Sequence, residues 1–301
     1  MSLIDKMGDS LGIDSNYIQI CSKRNNLYAK YFIPKKGGGR REILQPSKEL
    51  KVLQRWMVRN IFNEFPVSRF SRAYSRGDSV KKNAVLHKES NYICHTDIKN
   101  FFPSISRKTI QHFFKENSNK IRELELSNED LELIMDICLY RGRNLVIGSV
   151  ASPRIANIVM YEFDNELYEE LSKIGSFIYT RYADDIVISS KKFIDDNVLN
   201  IIDIKMRKYG FSMNFDKTYF MNKGCKREIT GVVIDNNCNK LTIGNKKYKE
   251  FQREIYNFLI KGRGNAGYIK GYLSYVKDIS NEQYVQLERI YKKYDGKHLL
   301  F

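Results

Sequence analysis

Tyr182-Ala-Asp-Asp185 sits between two β-prone runs, Ser176 to Arg181 and Ile186 to Ser189. Acids at a hairpin tip are ordinarily just solvated, but these flanks are unusual for a tip. Ile178 on one side and Ile186, Val187 and Ile188 on the other suit the middle of a sheet, not a ragged edge. Two adjacent carboxylates at the rim of a buried sheet repel each other. A divalent cation removes that cost, because hard oxygen ligands suit Mg²⁺ and the ion keeps open positions for phosphate oxygens. A site for two such ions, roughly 3.5–4 Å apart, needs a further carboxylate. Asp97 is the candidate: it ends a second apolar strand, Tyr92–Asp97, and lies 87 residues before Asp184.

The rest of the composition agrees with a large anionic ligand. The chain has 301 residues, enough for two or three subdomains around shared core. Its 42% hydrophobic and 13% aromatic content excludes wholesale disorder. A net charge of +16 points to nucleic acid, since phosphates reward many Lys and Arg contacts by counterion release. No apolar run approaches the roughly 20 residues of a membrane span, and the first residues lack the pattern of a secretion signal. Five scattered cysteines (Cys21, Cys94, Cys138, Cys225, Cys238) form no CxxC or Cys/His pattern, so reduced thiols in a cytoplasmic protein are expected.

Along the chain, helical spacing marks residues 1–25. Tyr28–Pro34 reads as a strand, Gly37-Gly-Gly39 as a tight turn and Arg40–Leu44 as the returning strand. That hairpin lies in a stretch, residues 20–60, with eleven Lys or Arg and two acids. A helix follows Ser47. Further helices are expected at about 106–116, 127–140, 153–172 and 192–208, with short strands near 211–213, 218–221, 229–234 and 240–243. Beyond 246 the pattern is helical, and residues 240–301 hold thirteen Lys or Arg against six acids. Mixed strands and helices imply an α+β core with a helical C-terminal part.

These residues resemble those of reverse transcriptases, specifically the bacterial retron type. Tyr182-Ala-Asp-Asp185 is similar to the palm YxDD motif, and Asp97 with Phe101-Phe102-Pro103-Ser104 to the first palm motif. Asn214-Phe-Asp-Lys-Thr218 resembles the following palm segment, and Arg41-Glu-Ile-Leu-Gln-Pro46 the fingers block. Asn83-Ala-Val-Leu-His87 matches the NAxxH element, and Ile229-Thr-Gly231 resembles VTG with Ile for Val. The resemblance spans about residues 28–300.

It implies a right-hand polymerase: an N-terminal region and fingers over 1–91 (with a fingers segment at about 106–145), a palm of antiparallel sheet and helices over 92–235, and a small helical thumb over 236–301. It implies RNA-directed DNA polymerase activity with two Mg²⁺ ions, Mn²⁺ being a substitute, held by Asp97, Asp184, Asp185 and the Ile98 carbonyl. Nucleotide-binding roles fall to Lys35, Arg41, Phe102 as an aromatic gate against a ribose 2′-OH, Gly148, and Lys217 as a donor to departing pyrophosphate. RNA or DNA contacts fall to Asn83, His87, Lys246, Lys247, Lys249, Arg253, Arg263 and Lys270, although Asn83 and His87 also suit a structural role. The implied partners are deoxynucleotides, a structured noncoding RNA with its branched DNA product, and a separately encoded effector in antiphage defence. One departure stands out. The nucleotide-pocket motif reads Leu145-Val-Ile-Gly148 before Ser152-Pro153, with Ile147 where the family usually has Gln. Rival readings are an intron-type or diversity-generating enzyme, or a non-catalytic RNA-binding scaffold. A Gly-loop hydrolase is disfavoured because no GxxxxGK[ST] pattern accompanies the glycines.

Overall fold

The computed structural model describes residues 1–24, 26–34, 38–296 and 299–301, so Lys35 and Gly37 lie outside the described residues. The chain opens with helices α1 (Leu3–Leu11) and α2 (Ser15–Lys23), the hairpin β1 (Tyr28–Pro34) and β2 (Arg40–Pro46), then α3 (Lys48–Asn60) and α4 (Val80–His87). Strand β3 (Tyr92–Asp97) leads into α5 (Phe101–Ser104), α6 (Arg107–Glu116), α7 (Ser118–Glu123) and α8 (Asn128–Cys138). Helices α9 (Ser152–Val159) and α10 (Tyr161–Ile174) precede the hairpin β4 (Ile178–Tyr182) and β5 (Asp185–Ser190). After α11 (Asn197–Lys208) come β6 (Tyr219–Asn222), β7 (Arg227–Ile229), β8 (Val232–Ile234) and β9 (Leu241–Thr242). The chain closes with α12 (Asn245–Lys261), α13 (Ala266–Ile279) and α14 (Asn281–Tyr291).

Strand alternation decides how these pieces stack. The central sheet has the order β4-β5-β3-β6, all antiparallel neighbours. Successive side chains on a strand face opposite ways. Cys94, Ile186 and Ile188 therefore enter one core with α3, α6, α8, α9 and α10, contributing Leu53, Ile110, Ile134, Ile155 and Phe163. Ile93 and Val187 enter a second core with Ala84 of α4, the β7-β8-β9 sheet and the C-terminal helices, through Phe251, Ile255, Ile269 and Leu273. The two central strands, β3 and β5, are dry on both faces. That explains the near-continuous Ile-Val-Ile run, each such side chain being worth about 1.5–3 kcal/mol when fully buried.

Local chemistry sets the element ends. Ser47 caps α3 by accepting from the Leu50 N–H, and Ser79 caps α4 by accepting from Lys82. Ile229 pairs with Val232, so Thr230 and Gly231 form a two-residue hairpin turn with φ 46 and 87. Positive φ at both positions is the requirement of the commonest hairpin turn, and glycine meets it without steric cost. The expected single strand over 229–234 is thus two strands.

Other boundaries also differ. The helix expected over 153–172 is broken at Met160 into α9 and α10. The helix expected from 192 starts at Asn197. The strand near 211–213 is only a single bridge between Ile98 and Met213, placed there to flank the acidic end of β3.

Candidate active site

The register assembles the acids. Asp97, last in β3, pairs with Asp185, first in β5, and Tyr182 pairs with Asp185 across the Ala183-Asp184 turn. The Ile98 N–H donates to the Asp184 carbonyl at 2.9 Å. On its other flank the Asp97 carbonyl accepts from the Asn214 N–H and the Lys99 N–H donates to the Ser212 carbonyl. That alternation turns the Ile98 carbonyl toward the Asp184 side. Asp97, Asp184, Asp185 and Ile98 are therefore brought together at one rim of the sheet. Burial raises the Asp184 carboxyl to about 6, with the charges of Asp185 and Asp97 adding to it.

Each neighbouring acid already has a cationic or donor partner. Lys217 Nζ lies 3.0 and 2.9 Å from the two Asp97 carboxylate oxygens, and Asn214 Nδ2 donates to Oδ1 at 2.9 Å. His95 Nε2 is 3.3 Å from Asp185 Oδ1, while Nδ1 donates to the Lys217 carbonyl at 3.2 Å. The imidazole stacks on Tyr219 with centroids 4.8 Å apart. Among the described residues no cluster of three or more His, Cys, Asp or Glu is already closed around a metal position. The donor set nevertheless fits a hard divalent cation. It consists of carboxylate and carbonyl oxygens, and the charges of Asp185 and Asp97 add to the burial that lifts the Asp184 carboxyl.

The turn itself is clamped from inside. Ala183 adopts φ 57, a left-handed conformation best tolerated by small residues. Its carbonyl accepts from Arg181 Nη1 at 3.1 Å. The same guanidinium is held by Asp164 of α10 through Nε and Nη2, both at 2.8 Å, and Tyr179 Oη donates to Asp164 at 2.6 Å. Arg181 and Asp164 are completely buried. Asn157 of α9 joins this network, accepting from Arg181 and from Ser71 Oγ while its Nδ2 donates to the Ala73 carbonyl.

The expected nucleotide residues Phe102, Gly148 and Arg41 sit on α5, in the segment before α9 and on β2. Phe102 is half-buried beside Phe101, and its ring centroid is 6.3 Å from that of Tyr74. Tyr74 was not among the sequence candidates. Burial and the charges of Asp184 and Tyr182 push its hydroxyl up to about 12. Gly148 lies against the fingers-block strand: a Cβ there would meet the Leu44 carbonyl at 2.7 Å, and φ is 108. The adjoining Ile147 carbonyl accepts from the Leu44 N–H at 2.9 Å. Arg41 is exposed on β2, opposite Ile33.

The nucleic-acid candidates divide into two groups. Lys246, Lys249, Arg253, Arg263 and Lys270 are exposed on or beside α12 and α13. Lys247 is instead tied down, its Nζ 3.0 Å from Glu228 and 2.9 Å from the Gly231 carbonyl. Asn83 and His87 have no exposed surface, which corrects their assignment to an RNA or DNA contact. Asn83 Nδ2 donates to Thr230 Oγ1 at 3.4 Å, and the His87 ring nitrogens lie 2.7 Å from Ser189 Oγ and Thr180 Oγ1. They join α4 to the two hairpins. Of the residues missed, His95 left a trace in the sequence: two positions before Asp97 on a strand, it shares that residue's face.

Residues 33–259 match the family described as Reverse transcriptase (RNA-dependent DNA polymerase). The chain is 34% identical over 275 residues to the Retron Ec73 reverse transcriptase of Escherichia coli, covering 87% of this chain and 86% of that one. To the Retron Ec86 reverse transcriptase of Escherichia coli it is 30% identical over 278 residues, covering 90% and 82%. In fold it is similar to telomerase from Candida albicans, solved with a fragment of telomeric RNA, with a TM-score of 0.51 at 15% identity, covering 91% of this chain and 55% of that one. No described helix is long and apolar enough to cross a membrane. A family match over three quarters of the chain, a right-hand polymerase fold and acids gathered at one sheet rim agree: the chain belongs to the reverse transcriptases, of the retron type, and is an RNA-directed DNA polymerase.

Proposed function

We propose that this polymerase copies part of a structured noncoding RNA into single-stranded DNA, leaving a branched RNA–DNA product, in antiphage defence beside a separately encoded effector in the bacterial cytoplasm. The fingers lie within residues 1–91 with a segment at about 106–145, the palm over 92–235 and the thumb over 236–301. Asp97, Asp184, Asp185 and the Ile98 carbonyl hold two Mg²⁺ ions, for which Mn²⁺ substitutes. Bound there, the metal supplies Lewis-acid activation of the primer hydroxyl and charge neutralisation on the triphosphate. The observation that carries this reading is the pairing of Asp97 with Asp185 and of Ile98 with the Asp184 carbonyl, together with the raised Asp184 carboxyl.

The protein's own residues do the rest. Arg41 offers a bidentate fork to triphosphate oxygens, and Phe102 stands against a ribose 2′-OH. Gly148 lets the pocket segment close on β2. Lys217, whose ammonium lies 2.9 Å from Asp97, would donate a proton to the leaving pyrophosphate. Lys35 is a further triphosphate contact. The exposed thumb cations track the product duplex by its backbone.

Primer extension on an RNA template, with copurifying nucleic acid sequenced in parallel, tests the reading. Asp184→Asn should abolish DNA synthesis while RNA binding persists, and chelation of divalent metal should do the same to the native enzyme. Random cellular RNA with no attached short DNA would sink the retron product, and full activity of Asp184→Asn would sink the site.

A further inference from the structure

One partly exposed aromatic sits where its backbone resists it. Tyr74 has φ 63, a left-handed conformation that a bulky residue keeps only when its surroundings over-determine it. Here they do. The Arg181 N–H donates to the Phe70 carbonyl at 2.9 Å, the Arg72 N–H to the Arg181 carbonyl at 2.8 Å, and Asn157 Nδ2 to the Ala73 carbonyl at 2.7 Å. The buried network that clamps the Ala183-Asp184 turn therefore also fixes the segment that carries Tyr74.

Core packing does not account for the arrangement, because Tyr74 is 52% exposed. The ring lies instead beside Phe102, centroids 6.3 Å apart and planes tilted by 40°. The charges of Asp184 and Asp185 bear on its hydroxyl. A held, exposed ring beside the aromatic gate, within the field of the acids, is placed to meet what is presented to them.

We propose that Tyr74 is a second aromatic wall of the deoxynucleotide pocket, set against Phe102, and that its ring packs on the incoming nucleotide to set affinity and sugar discrimination. The proposal rests on the polymerase reading of the acid site and extends it to a residue outside the recognised motifs. Ring contact of this kind tolerates any base, since every base presents a π-face.

The discriminating variant is Tyr74→Gly. Glycine accepts positive φ without steric cost, so the melting temperature should hold or rise while the ring is lost. The KM for deoxynucleotides should rise roughly tenfold, the order of one lost aromatic contact, and the preference over ribonucleotides should narrow. Tyr74→Phe keeps the ring and should behave like the native enzyme in both respects. Unchanged KM and selectivity in Tyr74→Gly would overturn the proposal, as would a loss of stability with kinetics intact. Equal damage in Tyr74→Phe would also overturn it, by moving the effect to the hydroxyl. Asp184→Asn, assayed alongside, separates the two readings: retained synthesis there condemns the acid site itself, whatever Tyr74 does.

Discussion

The acidic rim of the central sheet and the C-terminal helix α12 both concentrate charge, yet they treat it in opposite ways. At the rim, Asp97 is held by Lys217 and Asn214, Asp185 by His95, and Arg181 by Asp164 in a fully buried bidentate pair. On α12, Lys246, Lys249 and Arg253 point into solvent and make no ion pair among the described residues. The difference is the one that the proposed roles of the two regions require. Bond formation needs groups held within about half an ångström, which locked rotamers and supporting hydrogen bonds provide. A duplex that advances one step per cycle needs attraction without a fixed partner, which solvated cations supply through counterion release.

The sharpest way to break that contrast is to empty the clamp. Arg181→Met leaves Asp164 buried with Tyr179 as its remaining side-chain partner among the described residues, and stripping one member of a buried pair costs about 3–5 kcal/mol. Urea denaturation should show that loss, and the Ala183 carbonyl should lose its donor, so polymerase activity falls with it. Adding Asp164→Leu should recover part of the stability, because the uncompensated charge is gone. If Arg181→Met is as stable as the native chain, the rim is no more rigidly built than the solvated face of α12.

A smaller effect belongs to the dry side of the palm. Burial, with the Arg72 charge, depresses His87 to about 3, whereas the unfolded ring takes a proton near 6.5. The stability it contributes is therefore complete above 6.5 and is lost as pH falls toward 3. Between pH 6.5 and 5 this amounts to about 2 kcal/mol. Equilibrium unfolding at the two pH values should show it, and His87→Gln should flatten the profile. Equal slopes in the two proteins would remove His87 as the source.

The same residue shows what can be read in a sequence and what cannot. The acid rim was legible because Asp-Asp between Ile-rich strands is hard to reconcile with an ordinary solvated tip. Helix α4 was silent because its buried residues are Asn83, Ala84 and His87, so the hydrophobic periodicity that announces α3 is missing. The break at Met160 and the late start of α11 are boundary effects that tertiary packing sets. The Arg181–Asp164 pair joins residues whose encounter depends on how α10 lies under β4. Tyr74 was invisible for a different reason: its distinguishing property is a backbone angle, and a single aromatic between Ala73 and Ser75 says nothing about φ.

The finest test lies within α12, where neighbouring lysines fall on opposite sides of the contrast. Lys249 is exposed and unpaired among the described residues, whereas Lys247 binds Glu228 and the Gly231 carbonyl. If free cations grip the duplex, Lys249→Ala and Arg253→Ala should each lower the slope of log affinity against log salt by about one, with kcat unchanged. Lys247→Ala should leave that slope alone and lower the melting temperature slightly, since a half-exposed pair is worth less than about 1 kcal/mol. Fluorescence anisotropy of a labelled RNA–DNA hybrid across a salt series reads the first, and thermal unfolding the second. Equal salt slopes for Lys247→Ala and Lys249→Ala would mean that Lys247 leaves Glu228 to join the duplex, and the partnered and solvated cations of this helix would no longer be two classes.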